Sequence, residues 1–505
     1  MSIILHRNRM LVNGFREDSL PEFIKKNTVF QKKITFGYDE MWTGIKDIVY
    51  EGEKYFALPR NFPSRFLYSY LENDEIGVKK DDYYIPYRKC GIKMNPDAVP
   101  RNEMQVDILD FLAGRGQYKG IKDKPRRALF ADTDSGKTFT TIKDICEKDV
   151  MSVIVCPDDR AIKTWIEEFQ KFTDIKSEEI AVVKGRDRMR IVLKNKDKYK
   201  LVLLSNRTCS FIFKDKADDE LLHFFEEMQI GRKVYDELHM GLECIFYMEM
   251  LLVTHSTFYL TATNIKRIHG EQVILDHMTP SEDCVYQPPP LQKFEYIEVG
   301  YHLNASADHS KGINKPNGFD ALVYLKMLGQ AQLDYKDWFL QKVLRPSLKL
   351  ALKNLSDDTN RIAILTKTNE SGEWIGEYIA TEFPHLTIGY FNSKTAAKFD
   401  DRLPELDRNV IISTDRSFAG ILNIPHLEVI INVTPVTSEA HIKQIAGRLR
   451  KEKDKRRIFI QLGDLSFKKA RNMMYRERKV MEEVSISMDR ITVGKPQKEV
   501  SEEDD

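Results

Sequence analysis

The chain has 505 residues, long enough for about three domains that each bury a core of their own. Its 78 Lys and Arg stand against 77 Asp and Glu, so the formal net charge is +1 and there is no global basic footprint for nucleic acid; any such contact must come from a local groove. Cys90, Cys146, Cys156, Cys209, Cys244 and Cys284 are scattered without a CxxC pair, which argues against a disulfide framework or a zinc site and for reduced thiols.

Residues 1–100 are rich in aromatic and β-branched types interrupted by Gly, Pro and Asp, as in YFALPRNFPSRFLYSYL and DDYYIPYRKC. That pattern predicts a small mixed or β-rich domain. Tyr55, Phe56, Arg60, Arg65, Tyr84, Arg88 and Lys89 place aromatics beside cations, a combination that stacks bases and touches phosphates, although core packing accounts for most such aromatics. The start, MSIILHRNRM, lacks a signal peptide's apolar region and cleavage site, and no apolar run approaches a membrane span. A soluble, cytoplasmic protein with no membrane partner is expected.

Apolar runs at 128–130, 152–156, 201–204, 233–235 and 258–260 alternate with helical stretches, the rhythm of a parallel sheet with crossover helices. Between the first run and a helix predicted over 139–146 lies ADTDSGKT, residues 131–138. The backbone amides of Ser135, Gly136 and Lys137 are placed to form a phosphate-binding concavity at the helix N-terminus. Lys137 reaches the β and γ phosphates of a nucleotide in this reading, and the Thr138 hydroxyl ligates Mg²⁺. Ala131 stands where a leading glycine is usual, and Asp134 where a small residue is common.

The run at 233–235 is followed by DELH, residues 236–239, so Asp236 and Glu237 project beyond the carboxyl end of a strand, where ligands of such sheets sit. Asp236 is read as holding Mg²⁺ through water, and Glu237 as polarising the water that attacks the γ phosphate. QPPPLQKF at 287–294 cannot continue a helix or a central strand and is the candidate linker. A second series of strands is predicted at 362–365, 387–390, 410–413, 429–432 and 458–462, preceded by a long helical pattern around 322–355. The stretch 467–479 reads as a helix with basic residues on more than one side, best taken as a solvated face. Beyond 489 the text becomes a polar acidic tail that buries no core.

The order and spacing of ADTDSGKT, DELH, TAT at 261–263 and QIAGR at 444–448 resemble those of a superfamily 2 helicase or translocase of the DExH type, over about 101–483. The layout, with a small domain in front, is similar to that of phage DNA helicases of the UvsW type. The resemblance implies an α/β fold of two tandem RecA-like parallel-sheet lobes, with an N-terminal accessory domain at 1–100, lobes at 101–286 and 287–488, and a disordered acidic tail at 489–505. It implies that Gln105 reads adenine, that Pro157, Trp165 and residues 205–209 face nucleic acid, and that His239, Thr261 and Thr263 link hydrolysis to lobe motion. Thr414, Gly420 and Asn423 resemble motif V. Gln444, Gly447 and Arg448 resemble motif VI, with Arg448 reaching across a cleft to the γ phosphate as an arginine finger. Lys451 stands where the family has a second arginine, and Arg450 next door is taken to supply that charge.

The implied activity is ATP- and Mg²⁺-dependent unwinding, translocation or branch remodelling on nucleic acid, DNA before RNA. The alternatives are an RNA helicase and a nucleic-acid-binding clamp whose ATPase is weak or lost.

Overall fold

A computed structural model describes residues 2–5, 9–15, 21, 30–34, 37–41, 46–50, 52–59, 70 and 77–80, and then 86–494 except 133–134, 216–217, 239, 263–277, 279, 316–317, 331, 358, 393, 396–399, 420–423, 437 and 451–454. Apart from residues 132–134, which group with the second, the chain divides after Pro288 into two compact units.

The first unit opens with strands β1 (Ser2–Leu5), β2 (Arg9–Val12), β3 (Phe30–Ile34), β4 (Gly37–Met41), β5 (Lys46–Tyr50), β6 (Glu53–Pro59) and β7 (Gly77–Lys80). Five of them make a sheet in the order β5-β6-β2-β1-β7, and β3 and β4 form a separate antiparallel pair. Leu11, Tyr55 and Ala57 form a small buried cluster, so Tyr55 is core rather than a base platform.

The expected boundary at residue 100 comes too late. The Arg88 N–H donates to the Gln229 carbonyl, the Arg88 carbonyl accepts from Met151, and Cys90 and Ile92 are buried with Phe111 and Ile145. This stretch therefore packs as part of the parallel-sheet domain that follows, because its apolar side chains find their cover there.

That domain is a seven-stranded sheet in the order β10-β11-β9-β12-β13-β8-β14. The strands are β8 (Arg126–Phe130), β9 (Ser152–Cys156), β10 (Ile180–Val183), β11 (Leu201–Ser205), β12 (Arg232–Tyr235), β13 (Ser256–Thr261) and β14 (Val285–Tyr286), and every pairing is parallel. Val153 and Val155 enter one core cluster while Ile154 enters another, so both faces are covered and the strands read as unbroken apolar runs. Its helices include α1 (Glu103–Ala113), which precedes the sheet, and then α2 (Lys137–Lys148), α3 (Asp159–Phe172), α4 (Arg186–Lys194), α5 (Asn206–Lys214), α6 (Asp218–Glu227) and α7 (Leu242–Leu251), which come between its strands in sequence. Asp158 caps α3 by accepting from the Arg160 and Ala161 amides.

The second unit repeats the plan, with a seven-stranded parallel sheet in the order β19-β20-β18-β21-β22-β15-β23. Its strands are β15 (Phe294–Tyr301), β18 (Arg361–Thr366), β19 (Ile388–Phe391), β20 (Val410–Thr414), β21 (Leu427–Asn432), β22 (Ile458–Asp464) and β23 (Ser485–Val493); β16 (Asn314–Lys315) and β17 (Gly318–Phe319) form a short hairpin. Its helices include α8 (Ala321–Leu328), α9 (Tyr335–Phe339), α10 (Arg345–Lys353), α11 (Asn369–Glu382), α12 (Asp415–Ala419), α13 (Glu439–Ala446) and α14 (Lys468–Val484).

Two further expectations need correction. The helical pattern around 322–355 is not one helix: α8 ends at Gly329, and α9 passes through a π turn at Leu340–Leu344 into α10. Pro346 has no N–H to donate one turn back, which favours a widened register just before it. The acidic tail does not begin at 489, since β23 runs to Val493 and pairs with β15 from Ser485. As an edge strand it keeps most side chains in solvent, so the sequence lacks the buried run that marks the other strands. Residues 495–505 lie outside the described residues. No helix among the described residues is long and apolar enough to cross a membrane.

Candidate functional site

The loop after β8 leads directly into α2. Gly136 has φ +92°, a backbone only glycine adopts without strain, and a Cβ there would lie 2.1 Å from Gln105 Nε2. Ser135 is buried, and its hydroxyl has no hydrogen-bond partner among the described residues. Lys137 donates through Nζ to the Ala131 carbonyl, folding its ammonium back over the loop, while Thr138 is half-exposed on the first turn of α2. The early amides of that turn have no acceptor within the helix. A close-approach glycine, an orphan buried hydroxyl, first-turn amides and an ammonium together fit a polyphosphate.

Gln105 is packed against this loop by a cap that the sequence reading passed over. Asn102, noted only as standing where an arginine is frequent, accepts from the Gln105 amide at 3.0 Å, and Gln105 Oε1 accepts from the Arg101 amide at 2.9 Å. The Asn-x-x-Gln spacing is the signal that would have found it. Gln105 is buried, so its carboxamide is fixed at the rim of the loop by its own helix start.

Asp236 follows β12, and its N–H donates to the Val155 carbonyl of the adjacent β9 at 3.0 Å. Trp165 Nε1 donates to Asp236 Oδ2 at 2.9 Å. Trp165 is 2% exposed, so the expectation that it faces nucleic acid is wrong; the ring is part of the apolar side of α3, with Ala161, Ile162 and Phe169. Burial, and then the charge of Glu237, push the Asp236 carboxyl up to about 7, against the Trp165 hydrogen bond and the Lys137 ammonium, which pull it down. Glu237 has φ +48°, a strained value for a residue with a side chain, and the chain turns sharply as it leaves the strand.

Among the described residues no group of three or more His, Cys, Asp or Glu is arranged to hold a metal. Mg²⁺ suits what is present, because it is commonly held by one or two protein oxygens together with substrate phosphates. Of the expected nucleic-acid segment at 205–209, Ser205, Asn206, Thr208 and Cys209 are buried and only Arg207 is exposed, over the ring of Phe211. His239 and Thr263 lie outside the described residues; Thr261 is buried, and its carbonyl accepts from Ala131 at the loop entrance.

In the second unit Thr414 ends β20, and its Oγ1 accepts from the Ser417 amide at 3.2 Å. Gln444 lies on α13, and Gly447, Arg448 and Arg450 follow its last turn, both arginines half-buried. Arg450 is tied by its carbonyl, which accepts from Arg457 Nε at 3.2 Å. Gly420, Asn423 and Lys451 lie outside the described residues. The sequence reading also missed a charged cluster: the buried Asp415 carboxylate accepts from Lys367 Nζ and faces His441 Nε2 at 3.1 Å. His441 stands one helical turn before Gln444, a spacing that says nothing of Lys367 or Asp415.

Neither a protein-family model nor a curated protein matches the sequence. Solved structures match in fold. Mss116p bound to ssRNA and AMP-PNP is 13% identical, over 80% of this chain and 78% of that one, with a TM-score of 0.50. Dbp5 of S. cerevisiae bound to RNA and ADP BeF3 is 12% identical, over 77% of this chain and 89% of that one, with a TM-score of 0.49. The Hef helicase domain of Pyrococcus furiosus is 12% identical, over 75% of this chain and 98% of that one, with a TM-score of 0.44. At such identities the likeness is one of fold, and the Mss116p match carries it: two tandem RecA-like lobes.

Proposed function

We propose that this chain is a nucleic-acid-stimulated ATPase of the helicase or translocase type. The observation that carries the reading is the phosphate loop: Gly136 seated on Gln105, with Lys137 within the electrostatic reach of Asp236, at the carboxyl ends of parallel strands. Bound MgATP supplies the phosphoryl group that water attacks and a divalent charge that steadies it.

In this reading the Ser135 and Gly136 amides and Lys137 bind the terminal phosphates, Gln105 borders the base, and Thr138 Oγ1 and Asp236 hold the Mg²⁺ shell. Glu237 orients water and takes its proton on the carboxylate. On the sequence layout alone, Gln444, Gly420 and Arg450 are assigned to nucleotide binding, and the Arg448 guanidinium to the charge that develops on the phosphoryl oxygens. DNA is the assigned strand, on the sequence layout alone. RNA is the second reading, favoured by the ssRNA bound to Mss116p.

The test is one panel of steady-state ATPase rates with no nucleic acid, single-stranded DNA, duplex DNA, forked DNA and RNA. Stimulation by any strand supports the reading, and the strongest stimulant names the substrate. Tight strand binding without ATP turnover in any arm would instead establish the clamp.

A further inference from the structure

We propose that Trp165 is a positioning residue for Asp236: its indole N–H holds Oδ2, so that the other carboxylate oxygen keeps one direction toward the metal shell. This rests on the reading of Asp236 as the acid that holds Mg²⁺. Three anchors converge on the same residue. The Asp236 backbone is fixed by its 3.0 Å bond to the Val155 carbonyl on β9. Its side chain is fixed by the 2.9 Å bond from Trp165 Nε1 on α3, 71 residues away in sequence. Immediately after it, the chain turns through the positive φ of Glu237.

The donor is as well held as the acceptor. Trp165 is 2% exposed, its ring lies 6.0 Å from that of Phe169, and α3 starts from the Asp158 cap. A buried indole N–H needs an acceptor, and of those within a parallel sheet most are backbone carbonyls already used by the ladders. Here the acceptor is an acid at a strand end. For packing alone a leucine or phenylalanine on the same apolar stripe would serve; only the N–H requires tryptophan. Outer partners of this kind fix the geometry of metal-binding carboxylates and histidines, and their loss typically weakens metal binding by about 10- to 100-fold.

The test replaces Trp165 in the full chain by phenylalanine and, separately, by β-(3-benzothienyl)alanine, which keeps the ring shape and deletes only the N–H. ADP binding is measured by calorimetry across a magnesium titration, with a parallel series in EDTA. Both variants are expected to raise the magnesium concentration at which ADP affinity reaches its midpoint by roughly 10-fold, while affinity in EDTA is unchanged. Phe169→Leu, which disturbs the same packing without touching the bond, should leave the midpoint in place.

If Trp165→Phe fails to fold, the benzothienyl protein decides alone. An unmoved midpoint in that protein overturns the assignment, and so does equal weakening in magnesium and in EDTA, which would mark Trp165 as packing only. A wild-type chain whose ADP affinity ignores magnesium would bring down the reading of Asp236 itself. Failure of the larger reading and failure of this one therefore look different.

Discussion

Asp236 and Asp415 each stand immediately after a strand of a parallel sheet, one in each unit, and their surroundings are opposite. Burial and the charge of the neighbouring Glu237 hold Asp236 up at about 7, with two neutral donors, the Trp165 indole and the Glu237 backbone amide, and the Lys137 ammonium set against them. Burial also pushes Asp415 up, but His441 and Lys367 outweigh it, and the carboxyl ends below its ordinary value. The first acid is short of positive charge, as suits a group whose cation arrives with a ligand. The second has its cations built in, as suits a fixed structural joint. The same sheet architecture therefore carries a half proposed to bind and a braced half, with Arg448 at the end of a helix in the braced one.

The comparison breaks most visibly in catalysis. Lys137→Ala should nearly abolish hydrolysis and weaken ATP binding, because it removes the cation at the phosphate loop. Glu237→Gln should lower turnover by about 10²- to 10⁴-fold yet keep ATP affinity, since the base is lost and little binding surface goes with it. Fluorescent-nucleotide titration beside steady-state turnover checks both, and normal turnover in Glu237→Gln would end its assignment as the water-activating group. Arg448→Ala is the counterpart in the second unit: a fall of roughly 10³-fold in turnover, with ATP affinity changed far less. Unchanged turnover there would remove the second lobe from the chemistry.

A smaller effect sharpens the binding half alone. Gly136→Ala puts a methyl group 2.1 Å from Gln105 Nε2 and places a side chain at φ +92°. The backbone cost alone is about 1–2 kcal/mol, and the loop should lose nucleotide affinity. Adding Gln105→Ser relieves the clash but not the backbone strain. Partial recovery of thermal stability in the double variant is therefore expected, and full recovery would mean that the dihedral is not under strain.

Much of this plan was legible in the chain, for reasons that particular residues make plain. β9 was read with its true ends because both its faces are buried, which leaves SVIVC as an unbroken apolar run between polar neighbours. ADTDSGKT and the Asp236–Glu237 pair were legible in position, beyond the ends of β8 and β12, because each lies in contiguous residues. Edge strand β23 was not, because its exposed side chains carry no burial signal and only the backbone ladder to β15 places it. Trp165 was misread for a related reason: its partner is 71 residues away, and nothing local distinguishes a ring turned inward from one turned to a strand of nucleic acid. The Lys367, Asp415 and His441 cluster draws on three separate elements and was likewise invisible until the fold joined them.

The smallest predicted effect tests the opposed electrostatics directly, in protein without nucleotide or metal. An ordinary unfolded aspartate titrates near about 3.9. The folded Asp236 value of about 7 is above that, so its contribution favours the folded state at low pH and is lost as pH rises from about 4 to 7. Removing the charge with Asp236→Asn should therefore stabilise the first unit at pH 8, by about 1–2 kcal/mol, and the gain should fade as pH falls from about 7 to 4. Asp415 runs the other way: its value is depressed, so its contribution is present above about pH 4 and is lost as pH falls through the folded value. Asp415→Asn should destabilise the second unit at neutral pH by a similar amount, since Lys367 and His441 lose their common acceptor. Thermal melts of both variants at pH 8 and at pH 4 check the pair, and shifts of the same sign at pH 8 would erase the distinction between the two halves.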